Sequence, residues 1–342
     1  MAMDKLYGKT LEELSAVAKA ASLPPYAAKQ IAGWLYRRGA PEISGMTDLS
    51  LAARNALEKE FETGLTPPSS VAAGSDGTRK YLFPVSSNRF IETAYIPDRD
   101  RATVCLSVQS GCRMGCHFCM TARQGFQGNL TSNEILNQFR SLPEHALLTN
   151  IVYMGMGEPL DNLGEVLRSL TVLTSEWGYG WSPTRITVST VGIKERIKTY
   201  LEETKCHLAV SLHSPFDEER QALMPVQKAN PLKEILEAIR GYDFGRQRRV
   251  SFEYIVFRGL NDTPAHVKEL ARILNGIRCR INLIRFHSIP GSGYTSPDQH
   301  QMEVFRDSLT AKGITATIRA SRGEDIGAAC GLLSTLEQNK KA

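Results

Sequence analysis

Arg101-Ala-Thr-Val-Cys105-Leu-Ser-Val-Gln-Ser-Gly-Cys112-Arg-Met-Gly-Cys116-His-Phe-Cys119 is the stretch that decides the fold. Thr103 to Val108 is an apolar, β-branched run that predicts a strand. The residues after it must form a loop, and they carry three thiols at spacings of four and three. Three thiolates can hold three irons of a 4Fe-4S cluster and leave the fourth iron without a protein ligand. A structural zinc site is the alternative. It wants a fourth ligand at C-x2-C or similar spacing, and His117 is too close in sequence to chelate alongside its neighbours.

Downstream, β-branched runs alternate with amphipathic helical runs, with further strands predicted at Asn150 to Met154, Arg185 to Thr190, His207 to Leu212, Arg249 to Phe257 and Arg280 to Phe286. Six strand-helix units imply an α/β fold whose parallel sheet curls into a partial (β/α)6 barrel of the TIM type. Reactive groups then belong on loops at the C-terminal strand ends. The second strand ends in Met154-Gly-Met-Gly157-Glu158-Pro159, where glycines would let a ligand approach the backbone and a carboxylate can receive an ammonium group. By itself such a turn is simply a tight loop. Ser189 closes the third strand and Ser211-Leu212-His213 the fourth, adding hydroxyls and a ring nitrogen at the same mouth.

Upstream, residues 1 to about 65 carry helical periodicity, as in Leu11-Glu-Glu-Leu-Ser-Ala-Val-Ala and Tyr26-Ala-Ala-Lys-Gln-Ile-Ala-Gly-Trp-Leu-Tyr. Two alternating strands, Lys80 to Val85 and Arg89 to Ile96, predict a connecting hairpin. The expected organisation is a helical domain over 1–70, a linking hairpin over 71–101, the barrel over 102–320 and a C-terminal loop over 321–342.

The chain has 342 residues, 42% hydrophobic and 23% charged, as in an ordinary globular protein. Neither a signal sequence nor a membrane span is read from it, and crowded cysteines suit metal ligation in a reducing compartment, so the cytoplasm is expected. The net charge of +5 is uneven, with ten Lys/Arg against four acids between Arg240 and Pro290. Such a surplus attracts phosphate, although solvated helix and strand ends would give the same count.

Two further thiols stand out. Cys105 lies in the first barrel strand, and Cys330 lies in a polar, glycine-flanked stretch, Arg319-Ala-Ser-Arg-Gly-Glu-Asp-Ile-Gly-Ala-Ala-Cys330-Gly331, that reads as an exposed, mobile loop. Cys206 and Cys279, at strand starts, read as core fillers. With these residues in view, the chain resembles the RlmN/Cfr family of radical S-adenosylmethionine (SAM) RNA methyltransferases over nearly its whole length. The resemblance implies that Cys112, Cys116 and Cys119 ligate the cluster, and that Gly157, Glu158, Ser189, Ser211, Leu212 and His213 contact SAM. It makes Cys330 the methyl-carrying cysteine, Cys105 its disulfide-forming partner and Glu92 the proton acceptor; without it, Glu92 reads as a surface strand carboxylate. Where the family has an asparagine after the sixth strand, this chain has His287, which must substitute as a SAM contact or leave it lost. Leu332 replaces the glutamine common after Cys-Gly.

The resemblance further implies two SAM per turnover, a protein–RNA covalent adduct, and an electron donor such as flavodoxin or ferredoxin, in a monomer that needs no membrane. Gly157-Glu158-Pro159-Leu160 looks like the branch that makes 2-methyladenosine in 23S rRNA and tRNA, against the Cfr-like branch acting at carbon 8. Arg246, Arg248 and Arg249, together with Arg37-Arg38, are the expected RNA surface. A non-catalytic RNA-binding protein that keeps a metal for stability is the rival from another class, and would be colourless with zinc. A radical SAM enzyme acting on a protein or small molecule is the third reading, and would not need a methyl-accepting thiol.

Overall fold

The computed structural model describes residues 3–245 and 250–336, so Arg246, Arg248 and Arg249 lie outside the described residues. Helices α1 (Leu11–Ala20), α2 (Ala27–Ala32), which runs on into a π turn over Gly33–Arg38, and α3 (Leu51–Glu58) form the N-terminal layer. Thr10 starts α1 with a capping box: its hydroxyl accepts from Glu13 N, and the Glu13 carboxylate accepts from Thr10 N. A short parallel pair, β1 (Asp4–Lys5) and β2 (Phe61–Glu62), ties the two ends of this layer together.

One ten-stranded sheet carries the rest. Its strands are β3 (Ser70–Ala73), β4 (Arg79–Val85), β5 (Arg89–Asp98), β6 (Arg101–Cys105), β9 (Asn150–Tyr153), β10 (Ile186–Thr190), β11 (His207–Ser211), β12 (Val250–Val256), β13 (Cys279–Arg285) and β14 (Thr315–Ile318). Two-residue strands β7 (Gln109–Ser110) and β8 (Gly128–Asn129) pair beside the cysteine loop. The order in the large sheet is β14-β13-β12-β11-β10-β9-β6-β5-β4-β3. From β6 to β14 every neighbouring pair is parallel, and all six expected barrel strands are among them. The fold is the expected partial barrel, with the N-terminal layer at its side. Helices α5 (Ser132–Arg140), α6 (Leu163–Thr174), α7 (Lys194–Glu203), α9 (Leu232–Arg240), α10 (Pro264–Ile273) and α11 (Gln299–Ala311) lie between consecutive strands.

Three features differ from the sequence reading. A seventh parallel strand, β14, follows the sixth. The hairpin has a third strand, β3, and it continues the barrel sheet, because β5 pairs antiparallel with β6 and sets Ala94 opposite Cys105. The helical layer also shares the barrel's hydrophobic core: Leu6, Tyr7, Leu14 and Ile31 belong to one buried cluster with Leu136, Ile151 and Val188. The seam is hydrogen-bonded too. Asn133 Nδ2 donates to the carbonyls of Tyr7 (3.0 Å) and Gly64 (2.9 Å), and Ser132 Oγ donates to Gly8 O (2.8 Å). Gly8 is required there, since its φ is +96° and a Cβ would stand 2.5 Å from Asn133 N. Among the described residues no helix is long and apolar enough to cross a membrane.

Candidate active site

The loops after the parallel strands surround a cavity of about 490 Å³, within the range of sites that bury a small ligand. Cys112, Cys116 and Cys119 line it beside Gly157, Glu158, Ser189, Ser211, His213 and His287, and so do Cys105 and Cys330. Two expected site residues do not. Leu212 is fully buried in the core, and Glu92 is buried behind the wall.

The cysteine loop runs from β7 into the short helix α4 (Met120–Gln124). Gly111 makes the entry possible: its φ is +71°, and a Cβ there would strike Gly125 O at 1.6 Å. Phe118 anchors the far side, its ring edge-on to His213 at 4.8 Å and tilted against Phe257 at 5.9 Å. Burial pushes the Cys112 thiol up to about 12, and burial, with Cys119 and Cys112 adding to it, raises Cys116 as well. Three crowded thiols, with Cys112 and Cys116 resisting ionisation, call for a cation to stabilise the thiolate forms. Among the described residues no three His, Cys, Asp or Glu side chains converge to chelate a single ion. A zinc would draw its sulfurs to about 2.3 Å from one centre, whereas a four-iron cluster takes each cysteine on a separate corner. The donor set therefore fits the cluster, and these three thiols would hold it.

The Gly155-Met-Gly157-Glu158 turn differs from expectation in one respect. Its glycines make room for protein: a Cβ on Gly155 would meet Leu106 O at 2.7 Å, and one on Gly157, at φ +98°, would meet Gln109 Cβ at 2.5 Å. This packing presses Glu158 into the cavity wall, where it accepts from Thr190 Oγ1 (2.5 Å), Val191 N (2.9 Å) and Leu160 N (3.0 Å). Burial outweighs those bonds and raises its pKa to about 7. A carboxylate so poised is stabilised by an incoming ammonium. The hydroxyls of Ser189 and Ser211 have no partner among the described residues.

His213 is buried at φ +58°, with Nδ1 accepting from Ile255 N at 2.9 Å. Burial, then Arg220, lowers its pKa to about 3, so it stays neutral. Arg220 went unnoticed in the sequence. Fully buried, it donates to Val191 O (2.8 Å), Ser211 O (3.0 Å) and Leu212 O (3.2 Å), and also to Gln227 Oε1, clamping two strand ends to one another. Nothing in a one-dimensional pattern marks such a residue. Arg319, the first residue after β14, also went unnoticed: it lines the cavity, ion-paired to Glu253 at 3.1 Å.

The C-terminal segment read as an exposed, mobile loop is tied down along its length. Gly323 N donates to Asp76 (2.9 Å), Ala328 packs on Ala94 and Cys105, Met120 N donates to Gly331 O (2.8 Å), and Thr121 Oγ1 donates to Leu333 O (2.7 Å). Cys330 stands on the cavity wall with its surface open to solvent. Enclosure by surrounding atoms raises the pKa of its thiol, opposed by the Arg319 guanidinium. For Cys105, burial first and Cys330 second raise the pKa to about 12, again opposed by Arg319. Glu92 is engaged by Lys80 Nζ (2.9 Å) and by Ser334 N (2.8 Å), so the surface-carboxylate reading is wrong. His287 turns its ring nitrogens toward Ser321 Oγ and Glu324 Oε1, each at 3.4 Å.

A family model described as the radical SAM superfamily matches residues 106–273, and one described as the ribosomal RNA large subunit methyltransferase N-terminal domain matches residues 5–63. The chain is 57% identical over 331 residues to a probable dual-specificity RNA methyltransferase RlmN of Parabacteroides distasonis, covering 97% of this chain and 96% of that protein. A protein of the same name from Porphyromonas gingivalis is 58% identical over 330 residues, covering 96% of each. Among solved structures, a radical SAM methyltransferase from Sphaerobacter thermophilus superposes with a TM-score of 0.89 at 40% identity, covering 96% of this chain and 99% of that one.

Proposed function

The chain belongs to the RlmN family of radical SAM RNA methyltransferases, and from that premise we propose that it forms 2-methyladenosine in 23S rRNA and tRNA through a methyl group carried on Cys330. One observation carries the reading: Cys330 and Cys105 line the same cavity as the three loop thiols. Relatives named as dual-specificity enzymes support the pair of RNA substrates.

Carbon 2 of adenine is an electron-poor amidine carbon and cannot attack the methyl of SAM as an amine would. When bound, the cluster supplies an electron, drawn from a donor such as flavodoxin or ferredoxin, that splits SAM into methionine and a 5'-deoxyadenosyl radical. Gly157, Glu158, Ser189, Ser211 and His213 position SAM, with Glu158 receiving its ammonium group. The Cys330 thiolate takes a methyl from a first SAM by nucleophilic displacement, leaving S-adenosylhomocysteine. Hydrogen abstraction from that S-methyl by the radical from a second SAM leaves a carbon radical on Cys330. The new radical bonds to carbon 2 and joins chain to RNA. One electron returns from the adduct to the cluster, when bound, and the ring proton passes to Glu92. Cys105 thiolate then attacks the Cys330 sulfur; the sulfur–carbon bond breaks, its electron pair stays on the methylene carbon, and a proton completes the methyl group. The resulting disulfide is reopened by a two-electron thiol reductant of the cytoplasm.

The test is a pair of variants purified without oxygen. Cys330→Ala keeps its brown colour and its iron but methylates no RNA, while Cys105→Ala accumulates protein covalently attached to RNA. Nucleoside mass spectrometry on the wild type identifies the product. Methylation by Cys330→Ala, free turnover by Cys105→Ala, or 8-methyladenosine as the product would each refute the corresponding part.

A further inference from the structure

Where the chain enters β9 and β10, at the strand ends opposite the catalytic mouth, lies a second cavity of about 590 Å³. Arg37 reaches it from the π turn, Arg140 from the last turn of α5, and Arg185 from the 3-10 turn Pro183–Arg185. Among the described residues no Asp or Glu lines it. Arg140 donates to Gly39 O at 3.4 Å and lies 3.0 Å from His145 Nε2; burial and Arg140 itself lower the His145 pKa, so that imidazole is no counter-ion and no second cation. Arg185 donates a single bond, to Thr149 O at 3.1 Å, and Arg37 has no partner among the described residues. The neighbouring Arg38 shows the contrast: it stacks on Trp34 at 4.4 Å and pairs with Asp48 at 3.0 Å.

Three guanidiniums in one concavity repel each other, and most of their five N–H donors each are unspent. Arg140 and Arg37 could serve only to neutralise the C-terminal dipoles of their helical turns. Arg185 ends only a three-residue 3-10 turn, whose dipole is slight, so that reason is weak for it. The wall beside them is aromatic, with Phe139 wedged edge-on between Tyr179 (5.0 Å) and Trp181 (5.6 Å). Guanidinium groups beside aromatic faces are the chemistry that grips a nucleotide.

We propose that this cavity is a phosphate site for the RNA backbone, remote from the adenosine being methylated. It rests on the RNA methyltransferase reading and adds to it a second grip, which lets a large RNA be held while its target base is drawn into the mouth. The same chemistry would take a free nucleotide, and the experiment separates the two.

The experiment measures binding of a tRNA transcript to holoenzyme from about 50 to 200 mM salt. Each lost phosphate contact flattens the slope of log affinity against log salt by about one. The double variant Arg37→Gln/Arg185→Gln should therefore flatten it by about two and bind about tenfold or more weaker at low salt. Arg37→Lys/Arg185→Lys should keep the wild-type slope. A glutamine variant with the wild-type slope overturns the proposal, whether or not its affinity falls. Saturable AMP binding that the glutamine variant loses while its RNA slope is unchanged assigns the cavity to a free nucleotide and overturns it equally. The readout is binding, so a wild type that binds RNA with these slopes yet methylates none would sink the functional reading alone.

Discussion

Release of methylated RNA should be limited by how rarely Cys105 is ionised, and its rate should climb with pH. Burial, then the neighbouring Cys330, moves the Cys105 pKa from 9.0 to about 12. Only the thiolate attacks sulfur. In the adduct Cys330 is a thioether and no longer contributes, but burial, the larger cause, persists, so at pH 8 only a small minority of molecules carries the reactive form. Each pH unit between 7 and 10 should then bring a tenfold faster decay of the adduct, with no levelling near pH 9 of the kind an unperturbed thiol would give. Arg319 lowers the pKa of both Cys105 and Cys330, so Arg319→Met should slow the decay at every pH while keeping the tenfold spacing. The assay forms the adduct at pH 7, jumps the pH in a quenched-flow apparatus and follows the cross-linked band on a denaturing gel. A decay rate that is flat from pH 7 to 9, or that levels off above 9, would refute the reasoning. The linkage sign is the same for stability: a thiol titrating higher in the folded than in the unfolded chain contributes stability below pH 9 that is lost as the pH rises toward 12.

Three other outcomes are expected. SAM binding, followed by calorimetry, should strengthen as the pH rises through 7, because Glu158 must ionise to meet an ammonium group and its pKa stands at about 7; Glu158→Gln should bind more weakly and show no such rise. Arg220→Met leaves three buried acceptors, Val191 O, Ser211 O and Gln227 Oε1, without this donor, at about 1–3 kcal/mol each, while Leu212 O keeps Ser214 N; it also relieves a buried charge whose pKa drop from 12.5 to about 10 corresponds to roughly 3 kcal/mol. A net loss of about 2–4 kcal/mol should lower the anaerobic denaturation midpoint and weaken SAM binding. Gly111→Ala, whose methyl would meet Gly125 O at 1.6 Å, should lose iron and sulfide, whereas Gly125→Ala, at φ +75° with open space around it, should keep both and cost about 1 kcal/mol.

The parallel strands were legible because each is a compact apolar run between helical periods, β-branched in Ile186–Thr190 and buried on both faces through Leu208, Ala209 and Val210 in His207–Ser211. The strands that escaped lack that signal. Ser70-Val-Ala-Ala73 is short, alanine-rich and mostly exposed, and Thr315–Ile318 sits at the sheet edge with alternate residues exposed. Much of the site was legible too, because covalent chemistry and charge leave residue types at fixed spacings: three thiols in eight positions, or a carboxylate after two glycines. Side chains that act by holding others leave no such trace. Arg220 looks like any helical arginine until α8 (Asp217–Leu223) turns it inward under Ser211 and Leu212, and the role of Gly157 as a notch for Gln109 depends on two loops meeting in space.

The tail carries two tasks that one arrangement does not serve together. With Cys330 on the cavity wall, Ser334 N is hydrogen-bonded to Glu92, which is also paired with Lys80 and stands off the cavity. A carboxylate engaged on two sides is a poor base. For Glu92 to take the ring proton, Ser334 has to withdraw after Cys330 has been methylated. The tethers to be broken are the bond to Glu92, the bonds from Met120 N to Gly331 O and Thr121 Oγ1 to Leu333 O, and the three by which Gln124 holds Ser334 and Thr335. A bond to a charged group contributes about 1.5–3 kcal/mol and a neutral one about 1 kcal/mol, so together they hold the tail by roughly 6–8 kcal/mol. In the proposed scheme, methyl loading and proton transfer are then two positions of one segment, and the contacts that RNA makes on entering must outweigh that cost.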